Sequence, residues 1–117
     1  MDWRDVALVE PASCVINGVK RSGIGLGKIV AIIGAGPIGL IWVALAKAAG
    51  AAKITVCETM AARQDAAMML GADVVLDPRS TDIVREVKAE TDGGADVAVE
   101  VVGSIQTVQQ AVDMLDF

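Results

Sequence analysis

The string Gly34-Ala35-Gly36-Pro37-Ile38-Gly39 has the spacing G-x-G-x-x-G, and an acid, Glu58, stands nineteen residues beyond its last glycine. Those residue types suit a pyrophosphate. Gly34 permits a sharp turn, Gly36 lets the backbone approach an anion, and Gly39 lets a helix pack closely on the strand before it. Free N–H groups at a helix start would face the phosphates, and the helix dipole favours their charge. Glu58, at the end of a following strand, would accept hydrogen bonds from both ribose hydroxyls of an adenosine. A glycine-rich turn that binds nothing has the same spacing. The context of strand, glycines, helix and acid is what makes the string specific.

Little else in the chain offers chemistry. It contains no histidine, which removes the commonest general base and zinc ligand. Cys14 and Cys57 lie far apart and match no metal spacing, so they read as reduced thiols of a cytoplasmic protein. Cys14 reads as a small core residue with no base to activate it. Cys57 sits beside Glu58, which raises its pKa. Glu10 reads as an acid at a helix start, because it has no partner ligands. Asp92, Asp96 and Glu100 read as loop and edge charges, and Lys20-Arg21 as a solvated helix end. No catalytic set and no metal set is predicted.

The elements that must position the glycines follow from the hydrophobic pattern. Ile29–Ile33, Ile54–Cys57, Val74–Leu76 and Val97–Val102 are short apolar runs rich in β-branched residues, the pattern of strands covered on both faces. Between them Pro37–Ala49 and Ala61–Leu70 read as helices, with Gly71 as a C-cap. Ser80 or Thr81 caps a helix to about Glu90, and Ser104 opens another to Leu115. In that last helix Ile105, Val108, Val112 and Leu115 form one apolar stripe. Pro11–Arg21 reads as a preceding helix with Pro11 in its first turn. Right-handed crossovers then give a three-layer α/β fold, a doubly wound parallel sheet of Rossmann type in the order 3-2-1-4. Residues 1–27 form an arm and helix leading in, and 28–117 a partial dinucleotide-binding domain.

Composition narrows the partners. At 117 residues the chain is one domain able to bury roughly two-thirds of its unfolded surface. A net charge of −5 and a pI near 4.5 argue against nucleic acid or an anionic membrane surface. The uncharged run Ile29–Ala46 reaches the length of a spanning helix, but Gly34, Gly36, Pro37 and Gly39 break it. No signal peptide is legible at the N-terminus.

Across almost its whole length the sequence resembles the zinc-dependent medium-chain alcohol, polyol and threonine dehydrogenases. The resemblance runs from Ala7-Leu8-Val9-Glu10-Pro11 through Gly25-Leu26-Gly27-Lys28 and the glycine string to Leu40. It continues in Leu45–Ala51, in Leu70-Gly71-Ala72-Asp73-Val74-Val75 and in Gly94-Ala95-Asp96-Val97. Leu70-Gly71-Ala72-Asp73 and Glu10-Pro11 are the particular strings, the latter similar to the sorbitol and threonine branch. The resemblance implies that Gly34, Gly36, Pro37, Ile38 and Gly39 line the pyrophosphate. It implies that Glu58 takes the adenosine ribose with Arg63 near it, and that Val101 and Val102 pack on the adenosine side. Glu10 would stand where the polyol branch has an acid near its zinc. Nothing here matches the family's Cys and His-Glu zinc ligands, and the strands that hold the nicotinamide end have no counterpart. The implied function is therefore the NAD-binding portion of such an oxidoreductase.

Two other readings use the same residues: a stand-alone nucleotide-binding or regulatory module, and an FAD-binding fragment, since flavoproteins carry similar glycine strings. The acid at Glu58 predicts NAD over NADP, because a 2′-phosphate would meet a like charge. The fourth strand, at a sheet edge with one charge among β-branched residues, predicts a homo-oligomer by edge pairing.

Overall fold

The computed structural model describes residues 2–116. Helix α1 (Trp3–Ser22) leads into β1 (Ile29–Ile33), α2 (Pro37–Ala48), β2 (Lys53–Cys57), α3 (Ala61–Leu70), β3 (Val74–Leu76), α4 (Ile83–Thr91), β4 (Val97–Glu100) and α5 (Ile105–Asp113). The strands form one four-stranded parallel sheet in the order β3-β2-β1-β4. Side chains alternate across it. Val30, Ile32, Ile54 and Val56 pack with Val43, Ala46 and Ala67 under α2 and α3. Ala31, Ile33 and Cys57 pack with Ile83, Val87, Ala111 and Met114 under α4 and α5. The three-layer α/β arrangement predicted from the alternating runs is the one observed.

Two identical triplets set the register. In Gly71-Ala72-Asp73 and Gly94-Ala95-Asp96 the glycine has a left-handed φ, 126° and 139°, the alanine is buried, and the aspartate closes a ring on the neighbouring strand. Asp73 donates its N–H to the Ile54 carbonyl at 2.8 Å and accepts the Ile54 N–H at 2.8 Å. Asp96 does the same with Ile29, at 2.9 Å and 2.8 Å. At the other end of the sheet, amides just past each strand reach the last carbonyl of a neighbour: Gly34 to Cys57, Glu58 to Leu76 and Val101 to Ile33, at 2.9–3.0 Å. The turns after β1, β2 and β4 are thereby held level.

Several predicted boundaries are corrected. Helix α1 begins at Trp3, because Asp2 accepts the Arg4 N–H and forms a capping box with Asp5. Pro11 lies inside it, not in its first turn, so Glu10 is mid-helix. Strand β4 stops at Glu100, where the chain curls back onto that carboxylate. The cap of α4 is Asp82, which accepts the Arg85 N–H, not Ser80 or Thr81. Helix α2 ends at Ala48, α5 ends at Asp113, and β2 begins one residue earlier, at Lys53. The α5 stripe faces outward: Ile105 is 92%, Val108 50% and Val112 46% exposed, while Ala111 and Met114 turn to the sheet. Beyond α5, Leu115 forms a parallel bridge with Ala95.

Each aspartate ring is a carboxylate bond to a strand amide. Asp73→Ala and Asp96→Ala are each expected to lower unfolding free energy by about 1–3 kcal/mol, measured by urea denaturation. An unchanged midpoint in both variants would show that the rings do not set the register.

Candidate functional site

The turns at the C-terminal ends of the strands surround a cavity of about 480 Å³. Of the predicted residues, Gly34, Gly36, Glu58, Arg63, Val101 and Val102 line it. Pro37 and Ile38 are exposed at the head of α2, and Gly39 is buried beneath the turn. The glycines are needed sterically. Gly34 has φ 104°, and a Cβ there would lie 3.0 Å from Val102 and 3.2 Å from Val101. A Cβ on Gly39 would collide with the carbonyl of Gly34.

The helix ends around this cavity differ in one respect. Gly36 caps α2 with no side-chain hydrogen bond, and no acid stands in its first turn. At α4 and α5 the chain satisfies such amides itself. Asp82 caps α4 and Ser104 caps α5. Glu58 takes the Thr59 and Met60 amides leading into α3, at 2.7 and 3.0 Å. Glu100 takes the Val102 and Gly103 amides leading into α5, each at 2.6 Å. The first turns of α2 and α3 both lack a side-chain cap, and Glu58 takes an amide ahead of each, Ala35 before α2 and Thr59 and Met60 before α3. The uncapped start of α2 lies above the glycine turn, where an external anion can meet its dipole.

Glu58 has a task that the sequence did not reveal. Its Oε1 accepts the Ala35 N–H at 2.9 Å, fastening β2 to the glycine turn, and the residue is 7% exposed. Burial pushes its carboxyl up; amide bonds from Met60, Ala35 and Thr59, then the Arg63 charge, more than reverse this and leave it below its ordinary value. The Arg63 guanidinium lies 3.9 Å from Glu58 Oε1 and 3.9 Å from where a Cβ on Gly36 would be, so it overhangs the turn. Glu58 thus supplies one wall of the cavity, and Arg63 a cation at its mouth.

Pro78, Ile83, Gln106, Thr107 and Gln110 also line the cavity. Sequence reasoning missed them because only the topology brings α4 and α5 to this edge; the polar face of α5 was the available signal. Arg79 was likewise missed. Its Nη2 donates to the Thr59 carbonyl at 2.6 Å and to Asp77 at 2.9 Å, tying the rim of β2–α3 to that of β3–α4.

Of the other flagged residues Cys57 reaches the cavity wall, and Cys14, Asp92, Asp96 and Glu100 do not line it. Cys14 is exposed on α1, not in the core, because the helix face at that turn has no neighbour. Cys57 is buried, and burial first, with Glu90 second, pushes its thiol up to about 12; Glu58 is not a cause. Asp92 ends α4 with a left-handed φ of 52°, Asp96 closes its strand ring, and Glu100 holds its loop. Among the described residues no three His, Cys, Asp or Glu side chains gather to hold a metal ion, so the residues here do not fit the family's zinc. No helix among them is long and apolar enough to cross a membrane.

A family model described as zinc-binding dehydrogenase matches residues 37–117. The chain belongs to the zinc-binding dehydrogenase family. It is 40% identical over 113 residues to (R,R)-butanediol dehydrogenase of Bacillus subtilis (strain 168), covering 96% of this chain and 32% of that protein. It is 38% identical to sorbitol dehydrogenase of the same organism over 113 residues, with the same coverage of 96% and 32%. Among solved structures, a zinc-binding dehydrogenase from Sinorhizobium meliloti 1021 bound to NADP superposes with a TM-score of 0.87 at 36% identity, covering 91% of this chain and 32% of that one. The chain thus spans about a third of the length of the curated relatives it matches. The resemblance to the medium-chain alcohol and polyol dehydrogenases holds.

The local chemistry sets two expected outcomes. Because the folded pKa of Glu58 lies below its ordinary 4.5, its contribution is complete above that value and is lost as pH falls through the folded value. Glu58→Gln should therefore lower stability at neutral pH and lose less than the parent on acidification; parallel curves in thermal unfolding from about pH 7 to 3 would contradict this. A thiol reagent should label Cys14 in the native state and Cys57 only after unfolding; rapid native labelling of both would show that Cys57 is accessible.

Proposed function

We propose that this chain is the cofactor-binding portion of a zinc-type alcohol or polyol dehydrogenase, with residues 28–117 carrying NAD and residues 1–27 leading in. The observation that carries this is the glycine turn at the cavity, where Gly34 and Gly39 leave no room for a side chain and the start of α2 above it has no side-chain cap. The pyrophosphate would lie against Gly34, Gly36, Pro37, Ile38 and Gly39, its charge met by the α2 dipole. Glu58 would accept from the adenosine ribose with its remaining lone pairs, and Arg63 would lie beside it. Val101 and Val102 would cover the adenosine. The bound nicotinamide would accept hydride from an alcohol carbon. No residue of this chain is assigned to hold zinc or to deprotonate the alcohol.

NAD should be preferred over NADP. A 2′-phosphate would be brought against the Glu58 carboxylate at short range. Arg63 opposes that preference, and the NADP-bound relative makes it a question for this chain's own residues. The carboxylate prevails in this reading because it is buried and held by three backbone amides, whereas Arg63 is half exposed to solvent. The two free thiols support a cytoplasmic setting. The open edge of β4 and the outward stripe of α5 support self-association.

Calorimetric titration with NAD, NADP, ADP-ribose and FAD tests the reading. ADP-ribose should bind within a few-fold of NAD, and NADP roughly tenfold more weakly, the scale of about 1.4 kcal/mol. FAD should not bind. Tighter NADP binding would remove the assigned role of Glu58, and binding of FAD alone would replace the dehydrogenase reading with a flavoprotein. Light scattering at tens of micromolar should give a dimer or larger species; a clean monomer would contradict the edge assignment.

A further inference from the structure

Glu100 is a charged side chain beside the cavity that the cofactor reading does not use. It ends β4, and its Oε1 accepts three hydrogen bonds: from the Val102 N–H at 2.6 Å, the Gly103 N–H at 2.6 Å and the Thr107 hydroxyl at 2.9 Å. One carboxylate oxygen therefore gathers the β4–α5 loop and the first turn of α5. Burial pushes this carboxyl up, while the Gly103 amide, the Thr107 hydroxyl and the Val102 amide outweigh it and hold it below its ordinary value. Val101 is held by its amide bond to the Ile33 carbonyl and by the core, but the residues after it are not. Val102 is 57% exposed, and Gly103 and Ser104 are exposed. Yet this loop forms a wall of the cavity. Val101, Val102 and Thr107 line it, and the two valines stand against Gly34 across the turn.

We infer that Glu100 is a positioning residue for the adenine half of the cofactor: its carboxylate holds Val102 and Gly103 in place, and so the wall of the cavity, packed on Gly34, against which the base lies. The inference rests on the cofactor reading above. It assigns Glu100 no contact with the ligand. The carboxylate is turned into its own loop, where it also neutralises the amides leading into α5 and leaves the α2 terminus as the place for the pyrophosphate. Thr107 acts with it, since its hydroxyl joins Glu100 to the capping residue Ser104.

The test separates base binding from phosphate binding. ADP-ribose and inorganic pyrophosphate are titrated into the parent chain, Glu100→Ala, Glu100→Gln and Thr107→Val, with thermal unfolding of each. Glu100→Ala should bind ADP-ribose roughly tenfold more weakly, the scale of a lost charge-assisted hydrogen bond, and pyrophosphate within about twofold of the parent. Glu100→Gln keeps an acceptor oxygen and should recover most of the loss. Thr107→Val, which retains the loop amides' acceptor, should show a smaller loss of the same kind. Unchanged ADP-ribose affinity in Glu100→Ala overturns the inference, as does an equal loss for both ligands, which would mark a general structural role. If Glu100→Ala does not fold, Glu100→Gln and Thr107→Val decide by the same comparison. A parent chain that binds pyrophosphate but not ADP-ribose overturns the inference alone; one that binds neither overturns the cofactor reading with it.

Discussion

An α-helix start leaves amides without partners, and a folded chain must supply acceptors or leave them to solvent and ligand. That requirement organises this molecule. Around one edge of the sheet the chain places carboxylates or hydroxyls where the backbone turns into each helix, Glu58 ahead of both α2 and α3, Asp82 at α4, and Glu100 and Ser104 at α5. Neither the first turn of α3 nor that of α2 itself, which begins at Gly36 and Pro37, has a side-chain cap. Proline contributes no amide there, and glycine no side chain. An uncapped start leaves the positive end of a helix dipole unmatched by its own cap, in a protein whose net charge is −5.

The same carboxylates also shape the cavity. Glu58 reaches across to the Ala35 amide, and Glu100 reaches forward to Thr107. Each spends its charge inside the protein on groups that would otherwise be mobile. Neither needs to be near the reacting atoms for this to matter. The glycine turn lies between Glu58's wall and the Val102 wall that Glu100 holds. Position is conferred there by hydrogen bonds to the backbone more than by burial of side chains.

The layers and strand order were legible because the strands are nearly continuous apolar runs, the mark of a sheet covered on both faces. The glycine string and Glu58 were legible because their spacing has a mechanism. The illegible features came from neighbours distant in sequence. The periodicity of α5 identified an apolar face correctly but not its direction, since a stripe states that something should cover it without saying what. Pro11 suggested a helix start, and the capping box at Asp2 and Asp5 prevailed because it supplies two reciprocal bonds. Cys14 was assigned to the core from its residue type, and the exposed half of α1 overrode that. The second task of Glu58 could not be read, because the Ala35 amide comes within reach only once β1 and β2 are in register.

That register has a consequence for how the chain can change length. Strands β1 and β2 are fastened at their starts by Asp96 and Asp73 and at their ends by the amide bonds of Gly34 and Glu58. Deleting one residue from within β1 would draw the glycine turn back by about 3.3 Å and swap the two faces of the remaining strand. Insertions at residues 23–26 or 49–51 leave the strand lengths unchanged; they would disturb bonds such as Gly27 N–H to the Gly50 carbonyl but not the level of the turns. The interior of each strand therefore behaves as a gauge whose length sets the spacing of the site, and variation in chain length belongs at the opposite edge of the sheet.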